Sequence, residues 1–156
     1  MNYKLNEVVI VAAARTPIGI YKGSLKNIKA EQLGSIVIKE VLKKAKINNE
    51  DIDEVILGQV LTAGTGQNPA RQASINAGLP KTIPAHLVNQ VCGSGLRSVI
   101  SGFQTIKLNE AKYIISGGQE NMSITPHALL YRNDNKLLEE RLIDTMIYDG
   151  LIDAFN

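Results

Sequence analysis

The chain is 156 residues long, with a formal net charge of +2 and an ordinary apolar content of 44%. That is one domain's worth of material, enough to bury a core, and the near balance of charge excludes a basic nucleic-acid stripe or an acidic disordered tail. Without tryptophan and with a single cysteine, it has no base-stacking platform, internal disulfide or all-cysteine metal site, and a reducing compartment is expected.

Residues 8–13 are a continuous apolar run of strand length, which predicts a buried strand covered on both faces. With Lys4 ahead of it the run mimics a short secretory signal. It is too brief for one, Glu7 precedes it, and it ends in Arg15-Thr16-Pro17, so the strand reading is kept. No segment reaches transmembrane length, and a cytoplasmic location is the default expectation. Pro17-Ile18-Gly19 turns the chain. Leu33, Ile36, Val37 and Val41 then recur at helical spacing, predicting a helix over 30–44 with Lys39, Glu40, Lys43 and Lys44 mostly on its other side. Asn48-Asn49 followed by Glu50 and Asp51 reads as a short turn, and 54–61 as a second strand.

Asn68-Pro69 has the form of an N-cap with proline at the first helical position. That helix runs to Gly78, with Pro80 beyond it. Residues 85–88 are a third strand, short and expected to be central. A helix opens at Cys92 and lasts to about residue 108. Residues 113–116 are a fourth strand, ending in Gly117-Gly118. From Ser123 onward the chain reads as loop, with one or two short helices around 137–152. The alternation of strand and helix predicts an α/β sheet with helices on both faces. Ligands of such sheets lie at the carboxyl ends of the strands, where Cys92 stands. Between Gly93 and Leu108 only Arg97 and Lys107 are charged, so this helix is expected to be buried on most sides.

Cys92 lies in Asn89-Gln90-Val91-Cys92-Gly93-Ser94-Gly95-Leu96-Arg97. Most free cysteines are inert packing. Here the surroundings favour chemistry. The unpaired N–H groups in the first turn of a helix carry partial positive charge, which favours an anion. Gly93 and Gly95 remove side-chain bulk, so a substrate can come close to the sulfur. The arrangement reads as a nucleophile in a half-built oxyanion site.

The segment Val91-Cys92-Gly93-Ser94-Gly95-Leu96-Arg97 resembles the nucleophile signature of the thiolases, specifically the acetyl-CoA acetyltransferases. Four other stretches resemble the same family in the same order: 9–19 its opening strand and turn, 64–72 the loop into its second helix, 117–123 the loop after its fourth strand, and 144–151 part of its loop domain. The resemblance implies a layered α/β/α/β/α sandwich, of which residues 1–122 would be the N-terminal α/β domain lacking its last strand. Residues 123–156 would be the start of the loop domain. It also implies a mechanism. The Cys92 thiolate takes the acyl group of an acyl-CoA, with its own backbone N–H as an oxyanion donor. The carbanion of a second acetyl-CoA then attacks, giving acetoacetyl-CoA, and the reverse reaction is thiolysis.

By the same resemblance Asn89, Gly93, Ser94, Gly95, Glu120 and Asn121 support the site, Glu120 and Asn121 by bracing backbone. Leu151 matches a position that touches coenzyme A. Arg71 and Gln72 match positions near a subunit interface, though an arginine on a helix is most often solvated. The family needs no cofactor or metal beyond its coenzyme A thioester substrate, and it forms homodimers or tetramers. Its catalytic histidine and second cysteine have no match here: His86 is expected to be packed in a strand and His127 to lie on a loop surface. The expectation is therefore a chain that carries the nucleophile alone and does not complete a condensation. A different class of reading is a non-catalytic half-domain that assembles with another chain. The ketoacyl synthases are a third possibility, disfavoured by the surroundings of Cys92 and by Gly117-Gly118-Gln119-Glu120-Asn121-Met122.

Overall fold

Three parallel strands and three long helices carry the fold. In the computed structural model, which describes residues 7–129 and 142–155, the central strand is β1 (Glu54–Gly58). It pairs in parallel with β2 (Ala85–Val88) on one side and β3 (Ile114–Gly118) on the other. Its residues Val55, Ile56 and Leu57 are buried, as an apolar run in a doubly covered parallel strand should be. β2, expected to be central, is an edge. It carries His86, whose Nδ1 lies 3.0 Å from Glu54 Oε1 on the neighbouring strand, with half of the side chain exposed. The expectation of a packed His86 is corrected by the same contact: an ionisable ring on an edge strand keeps solvent and finds a cross-strand carboxylate. β1 also stops at Gly58, three residues earlier than the apolar run to Leu61 implied.

Side chains alternate across a strand, so Val55 and Leu57 face one way and Ile56 the other. The first face holds the core. Ile38 and Leu42 of α1 (Ala30–Ala45) meet Ala70, Ala73 and Ala77 from α2 (Pro69–Asn76) and its end, with Leu79 and Ile83 closing the edge. α1 stands where its spacing predicted, but its buried stripe is Ala30, Gly34, Ile38 and Leu42. Leu33, Val37 and Val41 are only half-buried and Ile36 is 51% exposed, because small residues let α1 pack closely on α2. α2 starts at Asn68, whose Oδ1 accepts the Arg71 N–H at 3.0 Å, and Gly78 follows it with φ 93°, a conformation glycine takes freely. Arg71 is not solvated as expected. Its guanidinium donates to the carbonyls of Ile83 and Lys81, tying α2 to the loop ahead of β2.

α3 (Ser94–Lys107) lies on the second face. Small residues let it come close: Ser94, Ser98 and Gly102 are its buried side. A side chain at Gly102 would stand 2.5 Å from Ser116 Oγ. The other side of α3 departs from expectation. Leu96 is 68% and Phe103 47% exposed, and Val99 and Ile100 are also open. The helix touches one sheet face and no second layer covers it among the described residues, so the scarcity of charge marks an apolar surface rather than a burial.

Residues 8–13 form no strand in the described chain. The run is open, with Val9 64% and Ile10 81% exposed. Its apolar composition suits a strand, but a strand exists only with a ladder partner. Among the described residues β2 and β3 each pair with β1 alone. Lys44 Nζ tethers the run with a hydrogen bond to the Ala13 carbonyl at 3.3 Å. Beyond Ser123 two short strands stand where loop was expected: β4 (His127–Leu129) pairs antiparallel with β5 (Leu142–Asp144). α4 (Thr145–Gly150) follows, its N–H groups at Met146 and Ile147 capped by Asp144 Oδ1. It falls within the 137–152 stretch predicted to hold short helices, of which 137–141 lie outside the described residues. The whole is an α/β half-domain with an open sheet.

Candidate active site

The carboxyl ends of β1, β2 and β3 bring together the segments 58–61, 88–95 and 117–121. Cys92 is exposed, in the turn between β2 and α3. That turn is held by its own side chains. The Val91 N–H donates to Asn89 Oδ1 at 3.0 Å. The Gln90 N–H donates to Ser94 Oγ at 2.9 Å, and that hydroxyl donates to the Val91 carbonyl at 2.7 Å. The Gly93 N–H closes on the Gln90 carbonyl at 3.1 Å. Val91 itself takes φ 49°, in the left-handed region that a β-branched residue rarely enters. Such a conformation costs roughly 1–3 kcal/mol and persists where the surroundings over-determine it. Next to Cys92, α3 presents its first-turn N–H groups, which no helix can pair internally.

Glycines set how tightly this turn seats on the sheet. A side chain at Gly58, the last residue of β1, would lie 2.4 Å from the Ser94 carbonyl carbon and 2.5 Å from the Gly95 nitrogen. Gly118 would meet Gly95 Cα at 3.5 Å. Ser98 Oγ lies 2.7 Å from both the Gly95 and Gly117 carbonyls, fixing the first turns of α3 to β3. The head of α3 therefore rests directly on strand-end backbone.

Glu120 and Asn121 join the neighbouring loops. Glu120 Oε2 accepts the N–H groups of Val60 at 2.8 Å and Leu61 at 3.3 Å. Burial pushes its carboxyl above the ordinary value, opposed in part by the backbone N–H groups of Val60, Leu61 and Asn121. Asn121 Nδ2 reaches the carbonyls of Leu25, Lys26 and Ile28, and its Oδ1 caps the Ser123 N–H at 2.9 Å. Two buried glutamines were missed by the sequence reading. Gln119 Nε2 donates to Gln59 Oε1 at 2.8 Å, and Gln59 Nε2 to the Leu61 carbonyl at 2.9 Å. A polar residue directly after an apolar strand was the available signal for each.

Other candidates stand apart. Leu151 is 60% exposed at the end of α4. The adjacent Gly150 backs onto Leu61. His127 is on the surface as expected, but in β4, with Nε2 3.8 Å from Asp144 Oδ2. Neither it nor His86 is hydrogen-bonded to Cys92. Among the described residues no group of His, Cys, Asp and Glu is arranged to hold a metal ion, and no helix is long and apolar enough to cross a membrane.

An α/β half-sheet with a thiol at a helix mouth beyond its strand ends is the architecture described. Residues 8–156 match the family model for the thiolase N-terminal domain, and the chain belongs to the thiolase family. It is 51% identical over 152 residues to an acetyl-CoA acetyltransferase of Paracoccus denitrificans, covering 97% of this chain and 39% of that protein. It is 55% identical over 151 residues to one from Chromobacterium violaceum, covering 96% and 38%. To the cytosolic acetyl-CoA acetyltransferase of Rattus norvegicus it is 47% identical over 156 residues, covering 100% and 39%. The chain thus spans about two fifths of the length of the curated relatives it matches.

Proposed function

We propose that this chain supplies the acyl-accepting half of a thiolase-type acyltransferase acting on acetyl-CoA, with Cys92 as the nucleophile. The observation that carries the reading is the exposed Cys92 sulfur beside the open first turn of α3, on a turn built to keep it there. The thiolate attacks the thioester carbonyl of acetyl-CoA. The carbon–sulfur bond to coenzyme A breaks, coenzyme A leaves as its thiolate, and an acetyl-cysteine remains. The backbone N–H of Cys92, with those opening α3, faces the oxygen that gains charge in the tetrahedral intermediate. Exchange of one thioester for another changes little free energy, and the cysteine is a good leaving group for the second step.

That second step needs a base to remove an α-proton from another acetyl-CoA. The chain has a single cysteine, and both histidines are engaged with carboxylates elsewhere. The 156-residue chain therefore accepts an acetyl group and does not complete the condensation. Residues 1–122 act as the N-terminal α/β domain and 123–156 as the start of a loop domain. Leu151 contacts coenzyme A, while Asn89, Gly93, Ser94, Gly95, Glu120 and Asn121 support the site. The whole protein works in the cytoplasm as a homodimer or tetramer, in fatty-acid metabolism, with no metal or prosthetic group.

Intact-mass measurement after incubation with acetyl-CoA tests the reading. One acetyl adduct is expected on the wild type and none on Cys92→Ser. A second reading, a non-catalytic half-domain that assembles with another chain, is favoured by the apolar outer side of α3. An unmodified wild type whose thiol still reacts with iodoacetamide would select it.

A further inference from the structure

A half-buried carboxylate beside the strand ends takes no part in the bonds that acyl transfer makes and breaks. Glu120 Oε1 is buried without a hydrogen-bond partner, and burial opposes the charge of the group. A brace alone could be made from neutral groups at lower cost, so the placement asks for a reason.

The reason lies in what its other oxygen holds. β1 and β3 end side by side, with Gly58 opposite Gly118. Past that point the two segments stay joined by one backbone bond and then by side chains. The Gln119 N–H donates to the Gly58 carbonyl at 3.0 Å, and Gln119 Nε2 to Gln59 Oε1. Glu120 Oε2 then takes both the Val60 and the Leu61 N–H. On its far side the same short segment is bonded to the strand that leads into the Cys92 turn: the Gln59 N–H donates to the Val88 carbonyl at 3.2 Å. Gly58 backs directly onto Ser94 and Gly95. Gly58 is the floor under the head of α3, and one carboxylate oxygen fixes the N–H groups of Val60 and Leu61 just beyond it. A carboxylate accepts two N–H groups more strongly than a neutral oxygen does.

We propose that Glu120 is a positioning residue for Cys92, acting through Val60 and Leu61 on the backbone that seats the nucleophile turn. The inference rests on the reading of Cys92 as the nucleophile. Nothing in it requires Glu120 to touch substrate.

The test uses the full chain and two readouts on wild type, Glu120→Ala and Glu120→Gln: amide hydrogen exchange by segment, and the rate of Cys92 alkylation by iodoacetamide. In Glu120→Ala, protection at Val60 and Leu61 should fall by roughly tenfold, the worth of one hydrogen bond. Exchange should also rise across residues 89–95, which Glu120 does not touch, and Cys92 alkylation should slow by about threefold or more. Protection in α1 should not change. Glu120→Gln, which keeps an acceptor oxygen, should recover most of the alkylation rate. If the alanine variant does not fold, Glu120→Asp carries the test, since it withdraws the acceptor by one methylene and should move both readouts the same way. Unchanged exchange at 89–95 with an unchanged alkylation rate overturns the proposal. So does a loss of protection spread equally over α1, which marks a general destabilisation. Absence of an acetyl adduct on the wild type would count against the acyl-transfer reading and leave these two readouts standing.

Discussion

At the scale of single residues, Glu120 and Val91 hold the least comfortable positions in the site. Glu120 sets a carboxyl where burial disfavours its charge, and this has a measurable consequence in pH. Its folded-state value lies above the ordinary 4.5, so between the two values the folded chain holds more protons than the unfolded chain. The stabilising contribution is complete below the unfolded value and is lost as pH rises through the raised folded value. Glu120→Gln has no such titration. The stability of the glutamine variant relative to wild type should therefore climb as pH rises from about 4 toward neutrality and then level off. Urea midpoints across that range measure it, and a gap that does not change with pH would refute the assignment. Val91 could not be read from the sequence as a strained position. Nothing in Gln90-Val91-Cys92 marks a left-handed valine. Its φ of 49° depends on the Ser94 hydroxyl and the Asn89 amide, which meet it only once the turn has closed.

The elements whose ends are punctuated by local chemistry were legible. α2 begins at Asn68-Pro69 and stops before Gly78 because the cap, the ring and the permissive glycine act within a few residues of themselves. The span of α1 follows from its apolar spacing, but its buried face does not: Ile36 is exposed and the small Ala30 and Gly34 are buried. What depended on distant partners was not legible. The run 8–13 has a strand's composition and no ladder among the described residues. The β4–β5 pair has strands of three residues each, too short to show a period. α3 lies between these cases. Its span was readable, but its burial depends on which neighbours are present. Its sheet-facing side is well defined, because Gly102 leaves no room for a methyl group above Ser116 and Ile114. Gly102→Ala should destabilise the chain by about 1–3 kcal/mol, the usual cost of overpacking, despite alanine's better helix propensity. The urea midpoint decides between these opposed effects, and a rise would mean that α3 is not seated on β3 as described.

For the molecule as a whole, the two faces of the sheet differ in completeness. One is closed by α1 and α2 over a continuous core. The other carries α3, whose outward row of Leu96, Val99, Ile100 and Phe103 is exposed, near a strand β3 that pairs on one side only among the described residues. Contiguous apolar surface of this kind drives association, and an unpaired strand edge adds to it. The chain should therefore bind a hydrophobic dye while folded, and its sedimentation coefficient should rise with concentration. Leu96→Glu with Phe103→Glu should suppress both effects. The second change also sets a carboxylate four residues before Lys107, a favourable helical spacing. Both positions point away from the sheet, so the stability of the double variant should stay within about 0.5 kcal/mol of wild type per substitution. A double variant that still associates would move the sticky surface off α3, to the edge of β3 or to the open run 8–13. One that unfolds would mean that the outer row of α3 is packed in solution, and that its expected burial holds after all.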